Sequence, residues 1–167
     1  MALELNGTTG VSLVQDGVIT DANLPAGSVL QVVQGQTSSG ATSTSSTLIS
    51  SNITATITPT SSSSKILVTV NCEVDTGTNN SIYSTFELRR DSTAIYTSSR
   101  VARYSVNSSY NGTSCWAIEH LDSPATTSAT TYTLYFARTS YVGSYYGTTY
   151  INNSVHPGTI TLMEIAA

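Results

Sequence analysis

His120 and Asp122 stand two residues apart in a chain that carries 27 Ser and 28 Thr among its 167 residues. On a strand that spacing turns both side chains to one face, and with a serine beside them they would compose a hydrolase triad. That chemistry needs an activated Ser on a strained turn next to an oxyanion hole. No GxSxG occurs, and Gly143-Ser144 lacks the pattern. With 27 Ser present, one near His120 says little, so His120 reads as a structural or surface residue. Metal chemistry fares no better. His120, His156 and the ten carboxylates show no HxxxH, DxDxDG or CxxC spacing, and residues 75–80 read as a plain turn rather than a calcium loop. No catalytic set, metal or cofactor is therefore expected. Cys72 and Cys115 are too distant in sequence for a redox pair; they could face each other in the core, where free thiols are the default.

Binding residues are easier to find than catalytic ones. Tyr141, Tyr145, Tyr146 and Tyr150 crowd into TSYVGSYYGTTY. Tyr among Gly and Ser offers amphipathic contact area at little entropic cost, so the cluster could meet a neighbouring subunit or a host glycan. It could equally be an aromatic cover on an outer strand. Arg89-Arg90 beside Asp91, with Arg100 and Arg103 on the next runs, reads as a salt-bridged patch across adjacent strands. One Lys, five Arg and a net charge of −4 make a poor field for a polyanion, so no nucleic-acid partner is expected. No membrane span is expected either, since no apolar run approaches 18 residues. The start, MALE, does not read as a secretory signal. Six N-x-[ST] sequons, at Asn6, Asn52, Asn79, Asn107, Asn111 and Asn152, carry no weight in a chain one-third hydroxylated.

The elements that would position these residues are nearly all strands. Ile53, Ala55 and Ile57 alternate with Thr54, Thr56 and Thr58. Ile66, Val68, Val70, Cys72 and Val74 share one face, with Leu67, Thr69, Asn71 and Glu73 on the other. The pattern recurs in Ile82–Arg90 and Thr130–Arg138, and further runs cover 28–34, 93–98, 100–106, 113–121, 147–152 and 158–165. Residues 35–46 read as a flexible Ser/Thr/Gly loop. Eight to ten short strands at this spacing predict an all-β chain, an antiparallel β-sandwich of the jelly-roll kind. Thr and Ser then supply β-propensity and keep the outer faces wet.

Residues 1–27 differ. Leu3, Leu5, Val11, Leu13, Val14, Val18 and Ile19 are too apolar for a solvated tail, and Gly7, Gly10 and Gly17 interrupt any helical stripe. We read this stretch as an extended N-terminal arm whose side chains pack on something else. Pro25-Ala26-Gly27 would form a hinge to a domain spanning residues 28–167.

The runs PAGSVLQVVQ, ITATITPTSSSSKILVTV, LDSPATTSATTYTLYF and GTITLMEIA resemble, in order, β-sandwich modules in virion proteins of tailed bacteriophages. Those modules are similar to the trimeric jelly rolls of the tumour-necrosis-factor type. The opening GTTGVSLVQDGVITDANLP resembles the attachment segments that precede them. The resemblance covers about 140 residues and brings no catalytic residues. It implies a non-enzymatic, homotrimeric protein on the virion surface, made in the bacterial host cytoplasm. The expected role is a capsid decoration or cement protein that docks on the major capsid protein through its arm and stabilises contacts between capsid subunits. The alternative is a trimeric tail-fibre tip, joined to a tail or baseplate protein and recognising a host glycan or receptor. An arm and one domain without a shaft favour decoration.

Overall fold

The computed structural model describes residues 24–76, 82–104, 112–140, 148–151 and 156–167. Ten strands follow in order: β1 (Val29–Thr37), β2 (Ala41–Ser43), β3 (Ile49–Ile57), β4 (Lys65–Thr76) and β5 (Ile82–Arg90), then β6 (Thr93–Tyr104), β7 (Gly112–Asp122), β8 (Thr130–Ser140), β9 (Thr149–Ile151) and β10 (Gly158–Ile165). No helix of the described residues is long and apolar enough to cross a membrane.

Among the described residues every strand pairing is antiparallel. One sheet runs β1-β10-β4, with β7 on the other edge of β4 and the short β9-β2 pair continuing the sheet beyond β10. The second sheet runs β3-β8-β5-β6. Set β2 and β9 aside, and the long strands pair first with last and so inward: β1 with β10, β3 with β8, β4 with β7, β5 with β6. A ribbon of hairpins wound up in that way is a jelly roll. The β-sandwich expected from the alternation is the architecture found.

The core is built from the strand phases that the alternation marks. Ile53, Ile57, Ile66, Val68, Val70 and Val74 from one half meet Phe86, Leu88, Tyr132, Leu134, Phe136, Ile160 and Leu162 from the other, and all are buried. Each such side chain contributes about 1.5–3 kcal/mol of transfer free energy before entropy is counted. Phe86 of β5 stacks on Trp116 of β7 across the two sheets, with ring centroids 4.3 Å apart. The sandwich closes where β1 passes β3. There a Cβ on Gly35 would stand 2.0 Å from the Thr54 carbonyl oxygen, so only glycine fits.

Two expectations need correcting. Residues 35–46 are not one loop: β1 continues to Thr37, and Ala41–Ser43 pairs with Thr149–Ile151. Their Ser, Thr and Gly composition suggested a linker, but tertiary pairing and the burial of Ser43 overrode it. The runs 93–98 and 100–106 are, through Tyr104, a single strand, β6, whose irregular register against β5 breaks the alternation without ending the pairing.

The strands also have a polarity. Residues 24–28, the β3–β4 turn, Asp91-Ser92 and residues 123–129 lie at one end of the sandwich. The ends of β4, β6 and β8 and the starts of β5, β7 and β10 lie at the opposite end. Gly27 (φ 89°) donates its N–H to Ala166 O at 2.8 Å and Ala166 N–H bonds Ser28 O at 2.9 Å, which ties the junction with the preceding residues to the first end.

Candidate functional site

Two buried carboxylates hold the first end together. Glu164 on β10 is fully buried. It accepts hydrogen bonds from Gln31 Nε2 (2.6 Å), Thr60 N–H (2.7 Å) and Thr60 Oγ1 (2.8 Å), with Ser61 N–H at 3.4 Å. Burial pushes this carboxyl up, but the hydrogen bonds from Gln31, Ser64 and Thr60 outweigh it and hold it below the ordinary carboxylate range. Asp122 on β7 accepts Arg90 Nη1 at 2.9 Å on both oxygens and Tyr132 Oη at 2.7 Å, which clasps the two sheets. Burial, and then the bond to Asp122, push the Tyr132 hydroxyl far up. Both networks are structural.

The residues singled out for chemistry do not assemble. His120 and Asp122 do share a face, the inner one, opposite Val68 and Ile66. Yet the Asp122 oxygens are taken by Arg90 and Tyr132, while the His120 ring lies 6.0 Å from that of Tyr96. Among the described residues no group of three or more His, Cys, Asp or Glu could hold a metal ion. Cys72 and Cys115 sit on adjacent strands but on opposite faces, because Cys115 pairs in register with Glu73. They cannot face each other in the core. Burial, with a smaller contribution from Cys115, pushes the Cys72 thiol up to about 12.

The expected arginine patch also divides. Arg89 points outward, pairs with Glu87 and lies 4.2 Å over the Tyr135 ring, whereas Arg90 turns inward to Asp122. Neighbours along a strand point to opposite faces, so consecutive arginines cannot form one patch. Asp91 instead receives the Thr131 N–H at 3.0 Å. The side chains of Arg100 and Arg103, the arm residues Leu3, Leu5, Val11, Leu13, Val14, Val18 and Ile19, and Tyr141, Tyr145 and Tyr146 lie outside the described residues. Tyr150 enters only as backbone, in β9 opposite Thr42 and Asp75. His156 and Glu73, which nothing in the sequence links, meet at 2.9 Å on the outer surface.

The two outer faces of the sandwich differ in chemistry. The β3-β8-β5-β6 face is dressed in cross-strand hydroxyl pairs: Thr54 with Thr133, Thr56 with Thr131 and Thr85 with Thr139, each at 2.8 Å. The Arg89–Glu87 pair and the Tyr135 ring beneath Arg89 lie on the same face. The outer face of the β1-β10-β4-β7 sheet carries an apolar stretch toward its first end. Register lines up Val32, Met163, Leu67 and Leu121 in one row across all four strands. The adjoining outward row holds Val29, Ile165 and Lys65. Val29, Val32 and Leu121 are 51%, 57% and 52% exposed. Farther along the same face the rows turn polar, with Gln34, Thr161, Thr69 and Glu119, then Gln36, Thr159, Asn71 and Ala117.

Apolar side chains gathered in adjoining rows form one patch that a single partner segment could cover, whereas scattered apolar residues do not. Sequence reading already placed Leu67 in an outward phase. It could not see that Val32, Met163 and Leu121 stand beside it, since that requires the register of four strands.

No known family model matches the chain, and no curated protein matches it. Solved structures do. The VP2 protein of infectious bursal disease virus in T=1 particles matches with a TM-score of 0.42 at 14% identity, over 84% of this chain and 37% of that one. VP2 in a subviral particle of the same virus gives 0.39 at 14% identity, over 82% and 37%. The T13 particle of that virus gives 0.42 at 12%, over 82% and 36%. The chain thus spans little more than a third of those proteins, and likenesses this distant assign it neither family nor partner.

Proposed function

We propose that this is a non-enzymatic structural protein of a bacteriophage virion, a trimeric decoration or cement protein that docks on the capsid through the arm of residues 1–27 and bridges capsid subunits. The observation that carries the reading is the contrast between the outer faces. A jelly roll with one hydroxylated face and one apolar band beside its arm junction is built to be covered by something, not to turn over a substrate. The resemblance of four ordered sequence runs to phage virion modules supports the same reading, and so does the apolar arm. An extended apolar segment can dock by adding a strand to a partner's sheet edge. Ordering such a segment costs about 1–2 kcal/mol per residue, which offsets much of what its side chains gain. Three arms on one trimer offset that cost through effective concentration.

The test is capsid binding. Light scattering at micromolar concentration should give three times 17.6 kDa for the free protein. Full-length protein should bind expanded capsids and protein lacking residues 2–24 should not, although its domain stays folded. Undiminished capsid binding by the truncated protein would remove the anchoring role.

One observation favours the fibre-tip reading. β8 ends and β9 begins at the end opposite the arm junction, and Tyr141, Tyr145 and Tyr146 follow β8 in sequence; a receptor-facing tip would carry its contacts at that end. Adsorption to host cells without binding to capsids would decide for it.

A further inference from the structure

The band formed by Val29, Ile165, Val32, Met163, Leu67 and Leu121 begins where the chain enters β1. Seven apolar residues of the arm precede Val29 by 10 to 26 positions in the chain. We infer that residues 11–19 lie across this band on their own subunit, so that each apolar surface covers the other until the arm engages a partner.

Size selects a single segment over a second copy of the chain. Four strands spaced about 4.8 Å apart and two outward rows make a band of roughly 200 Å². A stable protein–protein interface needs about 800 Å² from each partner. One extended segment suits the smaller area. Reach agrees: residues 20–24 can span about 16 Å, and β7 lies about 14 Å from β1. Nine residues extended cover about 30 Å, enough to cross all four strands. Charge agrees as well. Lys65 is the one charged side chain in the two rows, and Asp16 is the one charge in residues 11–19. Covalent linkage holds the segment at millimolar effective concentration, so weak apolar contacts suffice.

The geometry stands on the band alone; its purpose, keeping an attachment arm out of water before docking, rests on the assembly reading. Hydrogen exchange on the free full-length protein tests it. The amides of residues 11–19 should exchange about tenfold or more slowly compared with the same amides in a Val32→Ser/Leu121→Ser variant. A Gln34→Ser/Gln36→Ser variant, altered on the same face outside the band, should retain the protection.

A charge test needs no apolar substitution. Lys65→Glu should reduce protection about two- to fivefold, the range of an exposed ion pair, and adding Asp16→Lys should restore it. Unprotected amides in the unaltered protein would overturn the inference. So would protection unmoved by the band substitutions and the charge reversal alike, or protection that grows with protein concentration, which would assign the band to a second copy. Capsid binding is read separately. A chain that binds capsids with an unprotected free arm keeps the assembly role and loses this inference. A protected arm on a chain that binds no capsid does the reverse.

Discussion

Replacing Glu164 by glutamine isolates the network that closes the first end of the sandwich. The carboxylate has Oε1 facing the Thr60 N–H, the Thr60 hydroxyl and the Ser61 N–H, and Oε2 facing Gln31 Nε2. Glutamine at 164 can keep its oxygen toward Thr60, but its NH2 then meets the NH2 of Gln31, donor against donor. Turning the Gln31 amide over would relieve that clash and forfeit its bond to Thr58 O at 2.8 Å. Either way at least one buried bond to a charged acceptor is lost, a cost of about 1.5–3 kcal/mol.

The pH dependence follows from the sign of the shift. The folded carboxyl titrates below the unfolded one, because the hydrogen bonds from Gln31, Ser64 and Thr60 exceed the cost of burial. Its contribution is therefore complete above the unfolded value of about 4.3 and is lost as the pH falls through the lower folded value. Urea unfolding of the two proteins should show the full difference at pH 7, and the gap should shrink as the pH drops below about 4. A difference under about 0.5 kcal/mol at pH 7, smaller than one ordinary buried hydrogen bond, would refute the reasoning. A gap that stays constant into acid would do the same.

Thiol titration at pH 8 should find one reactive cysteine per chain, the exposed Cys115, and a second only after denaturation, since burial raises the Cys72 thiol to about 12; two fast thiols in the native protein would contradict the placement of Cys72. Gly35→Ala should lower stability by several kcal/mol, because its Cβ would meet the Thr54 carbonyl oxygen at 2.0 Å and backbone must move. An unfolding midpoint unchanged by that substitution would show that β1 and β3 are not so close.

Much of the fold is legible because a strand has a period of two. The buried phases of β3, β4 and β8 are the apolar phases of the sequence, and Ile53, Val68 and Leu134 stand where alternation places them. Register is less legible. The β1–β10 pairing joins residues more than 120 apart, and β2 rests on a pairing with β9 that no local pattern announces. The polar contacts that hold the first end resist sequence reading for the same reason. Asp122 invited a catalytic reading beside His120, and only the arrival of Arg90 and Tyr132 from the other sheet makes it a clasp. Glu164 ends an alternating apolar run and gives no local hint that Gln31 and Thr60 will converge on it.

By itself, then, the chain's alternation of apolar and hydroxyl side chains determined that this is an all-β sandwich with Thr-rich strand faces, because side-chain periodicity is local and survives without knowledge of pairing. The tertiary structure decided where on the outer surface apolar side chains gather. Val32, Met163, Leu67 and Leu121 are isolated residues in the sequence and neighbours only once four strands lie in register. An apolar band on a sheet is a property of rows that run across strands, and no single strand contains one.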